Sequence, residues 1–227
     1  MSSKFKKKNC IYCGKPTTSK DHVPPKCFFP KPVPKNLITV PACFDCNESF
    51  SADENYTRII LASAKISDQP GSSAEKIWNQ KVQRSLQKNS KVLKEIYKSF
   101  RFVDIYHGPI YLGKRPAFPC DRKRIDRIIG KIVKGLFYFE NKKPLSNDFT
   151  VKILWSPYKG NKILHEIINA LHVSNIKQIG EGVFKYRNIY AKEDLNWSTW
   201  ELNFYNSYLS FIGITGKELK NNDIDKI

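Results

Sequence analysis

The 227-residue chain is 41% hydrophobic and 26% charged, with a mean hydropathy of −0.48, which excludes a disordered chain and one built around membrane-spanning helices. Lys and Arg number 39 against 21 Asp and Glu, giving a net charge of +18 and a pI near 9.6, a field that favours polyanions. Nucleic acid leads among these because neutralising phosphates releases counterions; an anionic membrane surface is the rival that charge alone leaves open.

Met1 to Asn9 forms a basic arm with no apolar run behind it, so no secretory signal is expected. The expected compartment is the cytoplasm, where thiols stay reduced and clustered Cys read as metal ligands rather than disulfides. Residues 10–58 are dense in Cys, Pro and turn formers, and too poor in apolar residues to fold well alone. Helical spacing begins at Asn47 and runs to about Ala64, with Phe50, Tyr56, Ile59, Ile60 and Ala64 on one stripe. Pro70-Gly71 breaks it. A second long helix starts after Ser72 or Ser73, either of which can cap it, with an interruption expected near Asn89-Ser90.

Residues 101–112 read as one or two strands, and Gly113 to Cys120 as a loop with two Pro. Asp121 is a plausible N-cap for a strong amphipathic helix carrying Ile125, Ile128, Ile129, Ile132, Val133, Leu136 and Phe137. Phe149 to Trp155 reads as a strand and Asn161 to His172 as a shorter helix. Gly182 to Ala191, Thr199 to Tyr205 and Tyr208 to Ile214 read as three strands. Their aromatics, Trp197, Trp200, Phe204, Tyr205, Tyr208 and Phe211, are expected in the sheet core rather than on a base-stacking platform. The expected fold class is α+β. A zinc module over 1–64 precedes an α+β domain over 65–227, which has long helices, a C-terminal antiparallel sheet and no chemical motif of its own.

Two Cys-x-x-Cys pairs carry the most specific signal: Cys10 with Cys13, and Cys43 with Cys46, separated by 29 intervening residues. Two residues between thiols let both reach one ion, and four thiolates close a tetrahedral, structural Zn²⁺ site. Cys27 and Cys120 fall outside the pattern and read as ordinary thiols. Within the zinc loop stand Asp21-His22-Val23-Pro24-Pro25 and Asn36-Leu37, and Asn47 follows the last Cys. Phosphodiester hydrolysis needs a base for water and a hard cation against the phosphate. Neutral His can take the proton, and Asp or Asn oxygens suit Mg²⁺. His107, His165 and His172 lack such neighbours.

The order Cys-x-x-Cys, Asp-His-x-x-Pro, Asn-Leu, Cys-x-x-Cys-Asn resembles the HNH endonuclease family in its four-Cys, zinc-containing variant, over residues 10–58. The resemblance implies a ββα-metal, treble-clef-like module. It implies His22 as general base, Asn36 as the residue that braces the loop and orients His22, and Asp21 and Asn47 as ligands of a catalytic Mg²⁺ or Mn²⁺. Many members carry a basic residue shortly after the final Asn. Here Glu48, Ser49 and Phe50 follow, which leaves Lys20, Lys26 or Arg58 to contact phosphate. Asp53 and Glu54 are expected on an exposed helix face. The implied activity is metal-dependent cleavage of nucleic acid, DNA favoured over RNA, in a setting such as restriction or phage defence. A zinc module that binds nucleic acid without cutting it, and an RNA-directed toxin-like nuclease, are the competing readings. Residues 65–227 would position substrate, bind a partner protein or form a homodimer.

Overall fold

Alternating side chains in β1 (Ser19–Val23) bury Asp21 and Val23, while β2 (Ile38–Ala42) buries Ile38 and Val40; the two strands pair antiparallel, with His22 opposite Thr39. This is seen in a computed structural model that describes residues 8–63, 71–84, 91, 94, 98–117, 119–156, 162–207 and 210–217. A 3₁₀ turn over Lys26–Phe28 leads out of β1. The helix α1 (Phe44–Ser63) follows β2 after one residue. It begins three residues earlier than the apolar spacing suggests, because the Thr18 hydroxyl accepts the Phe44 amide at 2.8 Å and so caps the helix from another segment.

Helix α2 (Ser73–Ile77) opens with the Ser72 hydroxyl accepting from the Glu75 amide, and continues as a π-helical turn over Trp78–Val82. The expected break at Asn89-Ser90 lies outside the described residues. Among the described residues, strands β3 (Arg101–His107) and β4 (Ile110–Ala117) pair only with each other. The strand therefore runs on through the segment read as a loop, since Pro116 sits on a two-stranded ribbon whose outer edge needs no donor.

Asp121 caps α3 (Arg122–Asn141), its carboxylate accepting from the Lys123 and Arg124 amides. Strand β5 (Phe149–Ser156), helix α4 (Lys162–Leu171) and strands β6 (Lys177–Ile179), β7 (Phe184–Tyr190), β8 (Ser198–Phe204) and β9 (Ser210–Lys217) complete the chain. The five strands form one antiparallel sheet in the order β5-β9-β8-β7-β6. The chain is thus mixed helix and antiparallel sheet with a four-Cys cluster near its N-terminus. The short β6 has too few residues to show a period.

Helix α3 places the site. Ile125, Ile128, Ile129, Ile132, Val133, Leu136 and Phe137 are buried between α1 and the β1–β2 hairpin on one side and the sheet on the other. Each such side chain contributes roughly 1.5–3 kcal/mol on leaving water. One continuous core joins Val23, Phe28, Phe29, Ile38 and Ile59 to Trp200, Phe204 and Phe211. The expected boundary at residue 64 therefore separates no independent core. The physical reason is that the Cys-rich segment has too little apolar surface to close a core of its own. The Tyr205 hydroxyl seals the join by donating to the Phe28 carbonyl at 2.8 Å. Trp200, Phe204, Tyr205 and Phe211 are buried as expected, whereas Trp197 is half exposed. No described helix is long and apolar enough to cross a membrane.

Candidate functional site

The two Cys pairs meet. Gly14, at φ +75°, lets the first knuckle double back so that the Gly14 amide donates to the Cys10 carbonyl, and the Ile11 amide ties the knuckle to the Pro41 carbonyl of β2. The second knuckle runs into α1, with the Cys46 amide donating to Cys43 Sγ. The four Sγ atoms lie within 4.8 Å of one another, and Cys13 and Cys43 are 3.6 Å apart. Zn–S bonds of about 2.3 Å in a tetrahedron require S···S separations of about 3.8 Å. All four thiols are free, two of them buried, so the donor set fits one structural Zn²⁺. Cys27 is a different kind of thiol: burial raises its pKa to about 11 and keeps it protonated.

His22 projects from β1 on the face opposite Asp21 and is half-buried. Burial lowers its pKa below the usual 6.5; Lys26 and Lys131 add to the shift and Asp21 opposes it. The imidazole is therefore neutral near pH 7, the state in which a ring nitrogen can accept a proton from water.

Asp21 faces inward. Its Oδ2 accepts from the Tyr12 hydroxyl at 2.8 Å, and Lys131 Nζ lies 3.0 Å from Oδ1 and 2.9 Å from Oδ2. Lys131 comes from the middle of α3, has no exposed side-chain surface, and also pairs with Glu54. Its ammonium stands 4.8 Å from the centre of the Phe50 ring. Burial raises the Glu54 pKa, and Lys131 pulls it back. Glu54 thus lies in a buried network instead of on an exposed helix face. As placed, Asp21 does not fit a hard cation: both of its oxygens are engaged, and an ammonium already stands beside them.

Asn47 sits in the first turn of α1, where its amide donates to the Lys20 carbonyl of β1 at 3.4 Å. The helix stripe that carries Asn47 also carries Glu54 and Arg58. Asn36 is exposed in the turn before β2. Lys20 and Lys26 are exposed on either side of His22, where phosphate could reach both. Arg58 corrects the expectation that it contacts phosphate: it is 7% exposed, with its guanidinium donating to Asn55 at 2.5 Å inside the core.

A cation missing from the sequence after Asn47 is present in space. Arg127 of α3 donates to the Ser49 carbonyl at 2.9 Å and to the Ser49 hydroxyl at 3.1 Å, two residues beyond Asn47, and shares Asp53 with Arg124. Asp53 is thereby half of an ion-pair cluster rather than a solvated surface acid. A recess of about 430 Å³ beside Cys46, Ser49 and Phe50 is lined by Arg127, Lys131 and Lys134. Sequence spacing could not find these residues, which lie some 80 positions away, although the cluster of Lys and Arg at the start of α3 is visible as composition. His165 and His172 are exposed, in and just after α4, which packs on β7 and β8.

The arrangement offers a thiolate cage for a metal, a neutral imidazole with exposed lysines beside it, and guanidinium and ammonium groups banked behind the helix. The chain matches no family model, and searches of curated proteins and of solved structures return no match, so the reading of this site rests on its own residues.

Proposed function

We propose that the chain is an endonuclease of HNH type that hydrolyses phosphodiester bonds in nucleic acid, with DNA favoured. The observation that carries this is the succession β1–β2–α1 with four Cys gathered at its base and a neutral, half-exposed His22 on its outer strand. In this reading the cage of four thiolates holds Zn²⁺ and fixes a ββα-metal, treble-clef-like module. His22 takes a proton from water, the hydroxide attacks phosphorus, and the bond to the sugar oxygen breaks, that oxygen leaving as the alcohol with a proton taken from solvent. Asn47 ties α1 to the strand bearing the base. Lys20, Lys26 and Arg127 contact the phosphates.

The resemblance calls for a catalytic Mg²⁺ or Mn²⁺ on Asp21 and Asn47. Such an ion reaches Asp21 only by displacing the Lys131 ammonium. That contact is the specific observation favouring the second reading, a zinc-braced module that binds nucleic acid without cutting it. Zinc-loaded protein incubated with plasmid DNA and with RNA, with Mg²⁺, with Mn²⁺ and with neither, separates the readings. Divalent-dependent cutting of DNA supports the nuclease. Cutting of RNA alone moves the substrate to RNA. Salt-sensitive binding with no cleavage under any condition leaves the second reading.

A further inference from the structure

We propose that the β3–β4 ribbon, with the exposed basic residues that precede it, is an arm that binds an unpaired nucleic-acid strand, separate from the zinc module. Among the described elements the two strands pack mainly on each other. Phe102, Asp104 and Tyr106 alternate onto one face of β3, with Lys114 opposite Asp104 and, after a bulge, Tyr111 opposite Tyr106. On that face Phe102 is 66% exposed, Tyr106 61% and Tyr111 51%, in a fold that buries almost every other large aromatic side chain of its sheet core. Tyr106 and Tyr111 stand 5.3 Å apart between ring centres, and the Tyr111 hydroxyl donates to Asp104 at 3.0 Å. Phe102 and Tyr106 lie about 13 Å apart along β3, room for more than one nucleotide.

Exposed basic residues before the ribbon are the second, independent observation. Arg84, Lys91, Lys94 and Lys98 are each helical and exposed, and among the described residues no acid pairs with them. Lys114 brings positive charge onto the face of the rings, opposite Asp104, whose carboxylate is engaged by Tyr111, while Arg101 lies on the other face. Exposed aromatic rings behind a positive track are what a single strand requires: phosphates follow the lysines and bases stack on the rings. A duplex keeps its base faces stacked and offers the rings nothing. A second copy of the chain would bring another +18 charge against this one, which disfavours self-association.

Fluorescence anisotropy tests the arm, using full-length zinc-loaded protein carrying His22→Ala, no added divalent cation, and a short labelled mixed-sequence DNA either single-stranded or annealed. The single strand should bind more tightly than the duplex. Phe102→Ala and Tyr106→Ala should each weaken it about tenfold, the scale of one stacked base. Lys91→Gln combined with Lys94→Gln and Lys98→Gln leaves every ring in place and should lower the salt slope by about two. Unchanged single-strand binding in both the aromatic and the lysine variants would overturn the arm. So would intact binding accompanied by conversion of a dimer to a monomer in sedimentation of the aromatic variants, which would make the face a self-association surface. The arm extends the reading of the chain as a nuclease but does not stand on it. Loss of cleavage activity as a property would leave these binding results intact, and normal binding by the arm variants would leave the His22 chemistry untouched.

Discussion

Replacing Lys131 with Met removes the one cation shared by Asp21 and Glu54 while keeping the volume of the stem. Lys131 has no exposed side-chain surface, and its partners are 4% and 17% exposed, so little water reaches the pair to replace it. Removing one partner of a buried pair costs about 3–5 kcal/mol, because the charge left behind is uncompensated. Here two carboxylates are left, and the contact with the Phe50 ring is lost as well. Against a total stability of roughly 5–15 kcal/mol, this is a large fraction. Urea unfolding of the zinc-loaded protein, followed by Trp fluorescence, measures it. The midpoint should fall by at least about 1 M for an m value of a few kcal/mol/M. The penalty has a sign in pH. Burial already raises the Glu54 pKa with Lys131 present, so without the ammonium Glu54 contributes stability only when protonated and costs it as pH rises through its folded pKa. The deficit should therefore be larger at pH 8 than at pH 5. Adding Asp21→Asn to the variant should recover part of the loss. A cost below about 1 kcal/mol, independent of pH, would refute the claim that this network joins the Cys-rich segment to α3.

Gly135 of α3 passes so close to β1 that an added Cβ would lie 2.4 Å from Val23 Cγ2, so Gly135→Ala should destabilise by about 1–3 kcal/mol despite its better helix propensity, read as a lower melting temperature. Purified under reducing conditions, the protein should hold one zinc per chain. Cys46→Ser should lose it and become sensitive to protease within residues 10–58, whereas Cys27→Ser should keep it. Burial raises the Asp53 carboxyl, but Arg127 and Arg124 outweigh it and hold its pKa below the usual 3.8. Its contribution is therefore present above the unfolded pKa and lost as pH falls through the folded value. Asp53→Asn should destabilise at pH 7 and match the parent near pH 2 in the same unfolding assay. If His22 is the base, the acid limb of the cleavage rate should fall below pH 6.5, and Lys26→Met should move it upward by removing a neighbouring positive charge.

The parts of the fold legible in the sequence were those set by short-range chemistry. The Cys-x-x-Cys knuckles close because two intervening residues suffice for two thiols to reach one point, whatever surrounds them. Asp121 and the apolar period of α3 are also local, and both the cap and the buried stripe match. The Asp21–Lys131–Glu54 network is not local. Nothing within a helical turn of Lys131 distinguishes it from Lys123 or Lys134, and only the packing of α3 against α1 takes its charge out of water. Arg58 misled for the same reason: a basic residue on a helix reads as solvated until the neighbouring helices bury it. The β3–β4 ribbon was readable as strands but not as a free-standing one, since exposure of Phe102 and Tyr106 depends on what fails to pack over them.

The nuclease reading is tested most directly by comparing zinc-loaded wild type with His22→Ala on supercoiled plasmid in Mg²⁺ or Mn²⁺, with zinc content and melting temperature measured on both. The account predicts nicked or linear DNA from the wild type, and a rate lower by about 10²-fold or more in the variant, the scale of a lost general base. Equal rates from two equally folded proteins would contradict it.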